Sequence, residues 1–334
     1  MIFMGGCFVL MLLLMGVSLS IGSAGISVFE AYAAIFDRFL PDLFDVSWLA
    51  NTVVWQLRLP RTLMAVAAGA ILAIAGCSTQ GILHNPLATP YTLGVSASAG
   101  FGAAIGIILG HGLFEGSLLV IGNAFLFSLI PAFVILLASR RIGMSPETMI
   151  LCGVAMAYIF SASNTLLQFF AEADAMKSTV FWMVGDLARS AWWQLPYVFA
   201  TLTIFILIVL FFAKDISIIK MGDDSAKGLG VEVERVRTII IMAACLSTAV
   251  IVSFTGAIGF ICLLAPHIAR LVIGSEERYL LPASALGGSC LMLFADIIAR
   301  TAAAPVMLPV GAITALLGGP LLIYLLLRQR GYHL

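Results

Sequence analysis

Long apolar stretches alternate with short polar segments along almost the whole chain. A helix needs about 20 predominantly apolar residues to cross a lipid bilayer. The first such stretch follows no charged residue, is longer than the apolar part of a signal peptide and has no clear cleavage site, so we interpret it as a membrane helix. In total we predict ten spanning helices, at about residues 2–21, 62–83, 92–110, 117–138, 147–170, 192–213, 237–254, 257–274, 281–300 and 308–327.

The composition indicates the same class of protein. Of the 334 residues, 62% are hydrophobic and only 10% are charged, whereas charged residues make up roughly 25% of a typical soluble domain. A soluble protein of this length cannot bury so much apolar surface. A cytosolic enzyme, a nucleic-acid-binding protein and a disordered chain are therefore excluded. We predict an all-α polytopic membrane protein that consists of one transmembrane domain, residues 1–334.

No cofactor or metal site is predicted for this chain. The six cysteines all lie in apolar stretches and no two have CxxC spacing, which is typical of buried cysteines and not of metal ligands or disulfides. The run from Gly76 to Gly81 resembles half of a phosphate-binding loop, but Ile82 stands where such a loop needs Lys. We therefore expect the chain to bind no nucleotide itself.

Lysine and arginine in the short loops predict the orientation, because they concentrate on the cytoplasmic side of membrane proteins. An even number of spans places both termini on one side. Six basic residues fall on the opposite side: Arg38, Arg58, Arg61, Lys177, Arg189 and Arg300. Eleven fall on the side of the termini, which is therefore predicted to be cytoplasmic: Arg140, Arg141, Lys214, Lys220, Lys227, Arg235, Arg237, Arg270, Arg278, Arg328 and Arg330.

Three segments outside the spans also carry helix signals. Ser27 and Glu30 match the capping box S-x-x-E. Ser47 is predicted to cap a second short helix that runs to Leu57. Residues 172–193 hold three tryptophans among five charged residues, a mixture typical of a helix at the outer membrane interface.

The most polar part of the chain is the segment from Lys214 to Arg237, which holds ten of the 34 charged residues. Gly222 and Asp223 are suited to open a helical turn, with acidic residues at its positive end. Gly228 and Gly230 are suited to close it, and we expect a positive φ there. These signals predict two short helices that form a docking element for a cytoplasmic partner, although composition alone would also suit a solvated loop.

Charged residues within or beside the spans are further candidates for function. Asp296 and Arg300 lie four residues apart and therefore on one helix face, and an acid inside a span suggests function by default. A structural ion pair explains this spacing equally well. Arg58 and Arg61 flank Pro60 at the start of the second span, on the same outer side as Arg300. These arginines could be anchors at the lipid interface or could bind carboxylates of a partner or substrate.

Short motifs in a fixed order add a family resemblance that extends over nearly the whole chain. Among them are Arg58-Leu-Pro-Arg61-Thr, Gln80-Gly81, Asn85-Pro-Leu-Ala88, Gly228-Leu-Gly-Val231, Pro266-His-Ile-Ala-Arg270, Ala295-Asp296 and Leu308-Pro-Val-Gly311. In these motifs the chain resembles the FecCD-type permease family. Members of that family are the membrane subunits of ABC importers for iron chelates, haem and cobalamin.

The resemblance implies a fold, partners and a location. Similar permeases have the type II ABC importer fold, with ten spanning helices per subunit and both termini in the cytoplasm. They form homodimers in the cytoplasmic (inner) membrane of prokaryotes. Two ATPase subunits bind ATP and Mg²⁺ and dock on the cytoplasmic side, and an extracytoplasmic binding protein docks outside. The resemblance therefore implies an ATP-driven permease that is not itself an enzyme. Iron-siderophore is the first cargo it implies, with haem, cobalamin and molybdate-type oxyanions as alternatives.

The resemblance also assigns roles to the motif residues. Arg58, Arg61 and Arg300 match the arginines that dock the binding protein. The cytoplasmic gate is matched by Asn85, Pro86 and Leu87. The segment at about 214–237 matches the coupling helices that bind the ATPase, through Gly222, Asp223, Asp224, Ala226, Lys227, Gly228, Leu229, Gly230 and Val231. One departure concerns Met307, because the family often has Glu at this position.

Two other functions are compatible with a polytopic membrane protein. An ion-coupled secondary transporter would need several ionisable groups near the middle of the membrane, and Asp296 is the one candidate in the sequence. An intramembrane hydrolase would need HExxH or a nucleophile with a nearby base, and the sequence shows neither. ATP dependence of transport separates the first alternative from an ABC permease, and activity of the isolated subunit separates the second.

Overall fold

The computed structural model describes residues 2–22, 26–38, 46–143 and 145–329. Arg330, one of the basic residues used to predict the orientation, lies outside these ranges. Within them the chain is helical and has no strand. The helices are α1 (Ile2–Ser20), α2 (Val28–Asp37), α3 (Trp48–Thr52), α4 (Leu59–Ile82), α5 (Val95–Ala104), α6 (Leu118–Ile142), α7 (Pro146–Phe169), α8 (Ala173–Met183), α9 (Leu195–Phe211), α10 (Ala213–Ile219), α11 (Asp223–Gly228), α12 (Val233–Thr255), α13 (Ile261–Ile273), α14 (Glu277–Thr301) and α15 (Val310–Gln329).

The all-helical architecture confirms the predicted fold class. Seven helical segments in the described part of the chain are long and apolar enough to cross a membrane, and three shorter apolar helices accompany them: Val95–Leu109, Ile261–Ile273 and Val310–Tyr324. Each of the ten predicted spans overlaps one of these ten segments. That all ten cross the membrane, and that both termini are cytoplasmic, stay predictions.

The second span is longer than the sequence predicts. The helix that Ser47 caps does not end at Leu57, because the π-helical turn Val53–Arg58 joins α3 to α4. The result is one helical segment of 35 residues, Trp48–Ile82. At a rise of 1.5 Å per residue it is about 50 Å long, against a hydrocarbon core of about 30 Å. The segment therefore extends beyond the hydrocarbon core.

Helix α4 lies at the centre of the bundle, where α9, α12, α13 and α14 pack around it. Small residues permit the closest of these contacts. A Cβ atom at Gly69 would collide with the backbone of Gly288 on α14, and a Cβ atom at Gly76 would collide with the backbone of Cys262 on α13. Helices in lipid associate through such small-residue surfaces because the backbones can then approach closely.

Helices α4 and α14 are antiparallel neighbours. Different residues and connecting segments lie at the two ends of this helix pair. We call the end with Arg58, Arg61 and Arg300 the arginine end. The opposite end, which carries α10 and α11, we call the loop end. Helix α8, in the Trp-rich segment, and the turn Leu187–Arg189 lie at the arginine end, where Asp186 approaches Arg61.

The connection between α12 and α13 is not helical and lies inside the bundle. It begins at Gly256, with φ of 75°, and ends at Phe260, with φ of 66°. Its central residue, Ile258, is fully buried, and both of its backbone polar groups bond to one side chain. The hydroxyl of Tyr91 donates to Ile258 O at 3.0 Å and accepts from Ile258 N at 3.2 Å. Non-helical backbone at membrane depth needs such internal partners.

Candidate functional site

A buried ionic cluster occupies the arginine end. Asp296 on α14 is completely buried, and its Oδ1 accepts a hydrogen bond of 2.7 Å from Arg61 Nε on α4. Its Oδ2 lies 3.0 Å from Nε of Arg300, one turn later on α14. The structure therefore brings together the predicted pair and a second arginine that the local sequence pattern does not indicate. One buried carboxylate between two guanidinium groups leaves this cluster with a net positive charge.

Arg300 of this cluster and the neighbouring Arg58 also hold the end of α1. Arg58 Nη1 donates to the carbonyl oxygens of Leu19 and Ser20, at 2.8 and 3.0 Å. Arg300 Nη1 donates to the carbonyl oxygens of Ser18 and Ile21, at 3.0 and 3.1 Å. The last four carbonyls of a helix have no partner within the helix and carry its negative dipole end. The arginines therefore stabilise the packing of α1 against α4 and α14.

A cavity of about 160 Å³ lies beside this cluster, and Arg58, Arg61, Arg300 and Met307 line it. The three arginine side chains are all more than nine-tenths buried. Among the described residues, the Nη2 atoms of Arg58 and Arg61 have no hydrogen-bond partner. Asp186 Oδ1 lies 3.6 Å from Nη2 of Arg61, which is within the range of an ion pair. Met307 Sδ lies 3.6 Å from Arg61 Nη1. A glutamate at position 307 would therefore stand next to Arg61. The cavity offers unused guanidinium donors, which suit a carboxylate.

The polar segment at the loop end folds into two short helices, α10 and α11. Gly222 precedes α11 with φ of 116°, and Gly230 follows it with φ of 85°. The amide of Val231 donates to Ala226 O and the amide of Gly230 donates to Lys227 O, both at 3.0 Å, which is the Schellman arrangement that ends a helix. The expectation of a positive φ at Gly228 is wrong, because this residue is the last of helix α11. The positive φ occurs two residues later, at Gly230.

Arg237 fixes α11 to the spans. Its side chain is only 1% exposed, and Nη2 donates to Asp223 Oδ1 at 2.7 Å while Nε donates to Ile82 O, the end of α4, at 3.2 Å. Partial burial of Asp223 disfavours its charge, but the hydrogen bond and charge of Arg237, with smaller effects of His84 and Lys227, outweigh burial and lower the pKa of this carboxyl. Arg237 lies four residues from both Val233 and Ile241, on the buried face of α12. This spacing is visible in the sequence and indicates that Arg237 is a buried basic residue.

A second ion pair connects α10 to α14. The carboxylate of Glu277, the first residue of α14, is completely buried and pairs with the ammonium group of Lys220, which follows α10. Lys220 Nζ also donates to Ser275 O at 3.2 Å, and Cys77 Sγ on α4 donates to Glu277 Oε2 at 3.4 Å. These residues are far apart in the sequence, so no local pattern predicts the pair.

The predicted gate residues lie in the turn that follows α4 at the loop end. Asn85 Oδ1 accepts from the amide of Leu87 at 2.9 Å, and Leu87 and Pro86 are exposed. The preceding residue, His84, is hydrogen-bonded through Nε2 to Ile219 O, at the end of α10, at 2.6 Å. The candidate gate is therefore joined to the candidate coupling segment through one side chain. Among the described residues, no group of three or more His, Cys, Asp and Glu side chains is placed to hold a metal ion.

Comparisons with known proteins extend over almost the whole chain. Residues 10–328 match the profile of the FecCD transport family. The chain is 38% identical over 287 residues to the vitamin B12 import system permease protein BtuC of Klebsiella pneumoniae, covering 85% of this chain and 86% of the relative. It is 33% identical over 324 residues to the hemin transport system permease protein HmuU of Yersinia pestis, covering 96% and 95%. A solved structure of an inward-facing, metal-chelate type ABC transporter superposes with a TM-score of 0.85 at 28% identity, covering 97% of this chain and 98% of that one.

Proposed function

This chain belongs to the FecCD transport family, and we propose that it is the permease subunit of an ATP-driven importer for a metal chelate. The observation that carries this proposal is the match to vitamin B12 and haemin permeases over nearly their full length. The cargo classes that follow are cobalamin, haem and iron-siderophore, with molybdate-type oxyanions as a further candidate. Hydrolysis of ATP is assigned to separate subunits, so that the chain itself is not an enzyme.

The loop end is the proposed cytoplasmic side, where α10 and α11 receive the ATPase subunits. Two apolar side chains there are largely exposed, Met221 at 73% and Leu229 at 67%. They flank α11, whose acidic first turn and Lys227 add charge to the same surface. An apolar pair surrounded by charged residues is typical of a docking surface. The bonds of Arg237 and Lys220 would pass a displacement of this surface directly to α4, α12 and α14.

The arginine end is the proposed outer side, where the binding protein docks. The unused Nη2 donors of Arg58 and Arg61 support this role, since a guanidinium group can hold a carboxylate by two hydrogen bonds. Burial of the arginines implies that a partner carboxylate has to enter the cavity rather than pair at the rim. Arg61 and Arg300 also hold Asp296, so the cluster would serve both packing and docking.

The cargo path is proposed to lie on the two-fold axis of a homodimer, because a path for a large polar chelate has to be enclosed by protein. Asn85, Pro86 and Leu87 are assigned to its cytoplasmic gate. Cysteines at positions 85 and 87, in a chain without the six native cysteines, are expected to cross-link between subunits. The yield is expected to change with ATP and vanadate. If no cross-link forms in any nucleotide state, these residues do not lie on the axis.

An ion-coupled secondary transporter is not favoured by the geometry. Such a transporter needs an acid within the spans that can exchange a proton or cation. Asp296 is instead held between two arginines. Glu277, the other completely buried acid in the described part of the chain, is paired with Lys220. Neither carboxylate is free to bind an ion in this arrangement.

The decisive experiment is uptake by proteoliposomes that contain the chain with its ATPase and binding protein. We expect uptake of one of cyanocobalamin, haemin or a ferric siderophore that requires ATP and the binding protein. Uptake driven by a proton or sodium gradient without ATP would contradict the proposal. The bound ligand of the cognate binding protein, identified by mass spectrometry, would name the cargo.

A further inference from the structure

We propose that a groove at the arginine end binds one membrane phospholipid, with its phosphate at Arg189 and one acyl chain along α12. The proposal requires that the chain lies in a membrane, but it does not depend on what the chain transports. It is based on two cavities that share part of their walls, one polar and one apolar.

The polar cavity has a volume of about 460 Å³, within the range of roughly 300–1,000 Å³ that is usual for small-molecule sites. Arg189, Trp182 and Trp193 line it, together with the polar residues Ser117, Ser178 and Gln194. Tryptophan rings prefer the level of the lipid headgroups, where one side of the ring is apolar and the other is wet. This mixture of side chains therefore suits a headgroup.

Arg189 is the charged group that would bind the phosphate. Its Nη2 donates to Phe181 O at 3.2 Å, whereas its Nη1 is buried and has no hydrogen-bond partner among the described residues. Burial lowers the pKa of Arg189, and the negative charge of Asp186 opposes this shift. A buried donor without a partner is costly. An oxygen of a phosphate in the cavity would supply the missing acceptor and a compensating charge.

The apolar cavity, of about 380 Å³, continues from the polar one. The two share Ile121, Ser253 and Phe254, so they form one groove. Helix α12 lines the groove between α6 and α9, and both of these helices pack against α12. Along α9 the lining runs from Tyr197 to Ile204, which corresponds to about 10 Å of helix. The shape is that of a headgroup site followed by a slot for part of an acyl chain.

The order of polar and apolar residues along the groove favours a phospholipid over the ligands that either cavity alone could bind. Tyr197 is 62% exposed and Ile204 58% exposed, on an apolar helix that is long enough to cross a membrane. A free phosphate would use the polar cavity and leave the apolar slot unexplained. A lipid without a phosphate would fill the slot and leave Nη1 of Arg189 without an acceptor.

Native mass spectrometry of the full-length chain, titrated with palmitoyl-oleoyl phosphatidylglycerol, tests the proposal. We expect one tightly bound lipid per chain. Arg189→Gln removes the charge and Ala200→Trp fills the slot from an exposed position of its wall. Arg189→Gln is expected to weaken binding at least about tenfold, the effect of losing one charge-assisted hydrogen bond. Ala200→Trp is expected to weaken binding by at least a similar factor, because the indole ring occupies the space of the acyl chain. Lys177→Gln and Thr203→Trp are matched controls at exposed positions outside the lining and are expected to stay within about twofold of the unmodified chain.

Each result supports or overturns the proposal. No bound lipid overturns it, and so does binding by both Arg189→Gln and Ala200→Trp that equals binding by the unmodified chain. Binding that depends on Arg189 but not on Ala200, together with displacement by inorganic phosphate, would identify a free phosphate site and also overturn it. If the variants fail to fold, a photoactivatable phosphatidylglycerol on the unmodified chain has to label α9 or α12. ATP-driven uptake by the same variants, reconstituted with the ATPase and the binding protein, keeps this result separate from the proposed transport function.

Discussion

Arg61 and Asp296 are 235 residues apart in the sequence and form a buried ion pair in which Nε donates to Oδ1 at 2.7 Å. Because Arg300 contacts the other carboxylate oxygen, the pair joins α4 and α14 at the arginine end. At the loop end, Cys77 on α4 donates to Glu277 on α14, and Lys220 pairs with that glutamate. The same two helices are therefore fixed by buried carboxylates at both ends. A change in either cluster would alter how the two helices pack along their length.

Asp296→Asn is expected to destabilise the chain strongly. It leaves Arg300 without a counter-charge and Arg61 with only the more distant Asp186, at 3.6 Å. Breaking a buried pair in this way typically costs about 3–5 kcal/mol. We expect a clear fall in the melting temperature of the purified chain. Glu232→Gln, which removes the exposed partner of Arg235, is the control and typically costs about 0–1 kcal/mol. Equal melting temperatures for the two variants would show that the cluster contributes nothing to stability.

Lys220→Met is expected to uncouple ATP hydrolysis from transport, because it removes the ion pair between the proposed coupling segment and α14. In the reconstituted importer we expect less cargo transported per ATP hydrolysed. The charge-exchanged double variant, Lys220→Glu with Glu277→Lys, is expected to recover part of the ratio. Arg278→Met removes an exposed neighbouring charge and is expected to leave the ratio unchanged. The idea fails if Lys220→Met lowers the melting temperature but keeps the full ratio.

Gly230→Val is expected to weaken ATPase binding through backbone strain. A non-glycine residue held at a φ of 85° costs of order 1–3 kcal/mol, and β-branched residues tolerate this region poorly. Gly228→Ala is the matched control, because Gly228 is helical and no atom lies within 4 Å of a Cβ at this position. Co-purification of the ATPase should fall for the first variant only. Equal loss for both would indicate that the side chains, and not the turn, disturb the interface.

Tyr91→Phe tests the non-helical connection between α12 and α13. Removing the hydroxyl leaves the amide and the carbonyl of Ile258 without their shared partner, and a buried unsatisfied group costs about 1–3 kcal/mol. We expect a lower melting temperature and faster hydrogen exchange of the Ile258 amide, measured by mass spectrometry. Tyr158→Phe, at a site that is 74% exposed, serves as the control. Unchanged exchange at Ile258 would mean that another group satisfies this segment.

Local patterns predicted the elements of the fold well. The helix caps at Ser27 and Ser47 form as expected, with each hydroxyl accepting from the third amide that follows. The apolar stretches all become helices, because the repeat of apolar side chains is a property of neighbouring residues. The sequence does not predict the continuous helix from Trp48 to Ile82, because the charge of Arg58 suggests a boundary, whereas in the fold bonds to α1 allow Arg58 to be buried.

The contacts that build the candidate sites were less predictable. The spacing of four residues predicts the pairing of Asp296 with Arg300, whereas Arg61 reaches the same carboxylate from another helix. Lys220 and Glu277, and Tyr91 and Ile258, are likewise brought together only by the packing of helices. The one distant residue that left a local signal is Arg237, a basic residue within the apolar face of α12. Sequence periodicity shows which face is buried but not what it meets.

Arg58 provides the sharpest test of docking at the arginine end. Arg61 and Arg300 hold Asp296, so their loss would disturb an ionic cluster, whereas Arg58 bonds only to carbonyl oxygens and keeps Nη2 free in the described structure. Arg58→Lys keeps the charge but loses the planar fork, and Arg58→Gln loses both. If a carboxylate of the binding protein enters the cavity, affinity should fall in that order. Removing one partner of a buried interfacial pair typically costs about 2–5 kcal/mol of binding free energy.

Arg38→Gln is the control, because it removes an exposed charge from the same end, where Arg38 stacks on Trp55. It should mainly change the association rate and its dependence on salt. Surface plasmon resonance at low and high salt measures both effects. Equal affinities for Arg58→Gln and Arg38→Gln would remove Arg58 from the docking site and leave it as the cap of α1.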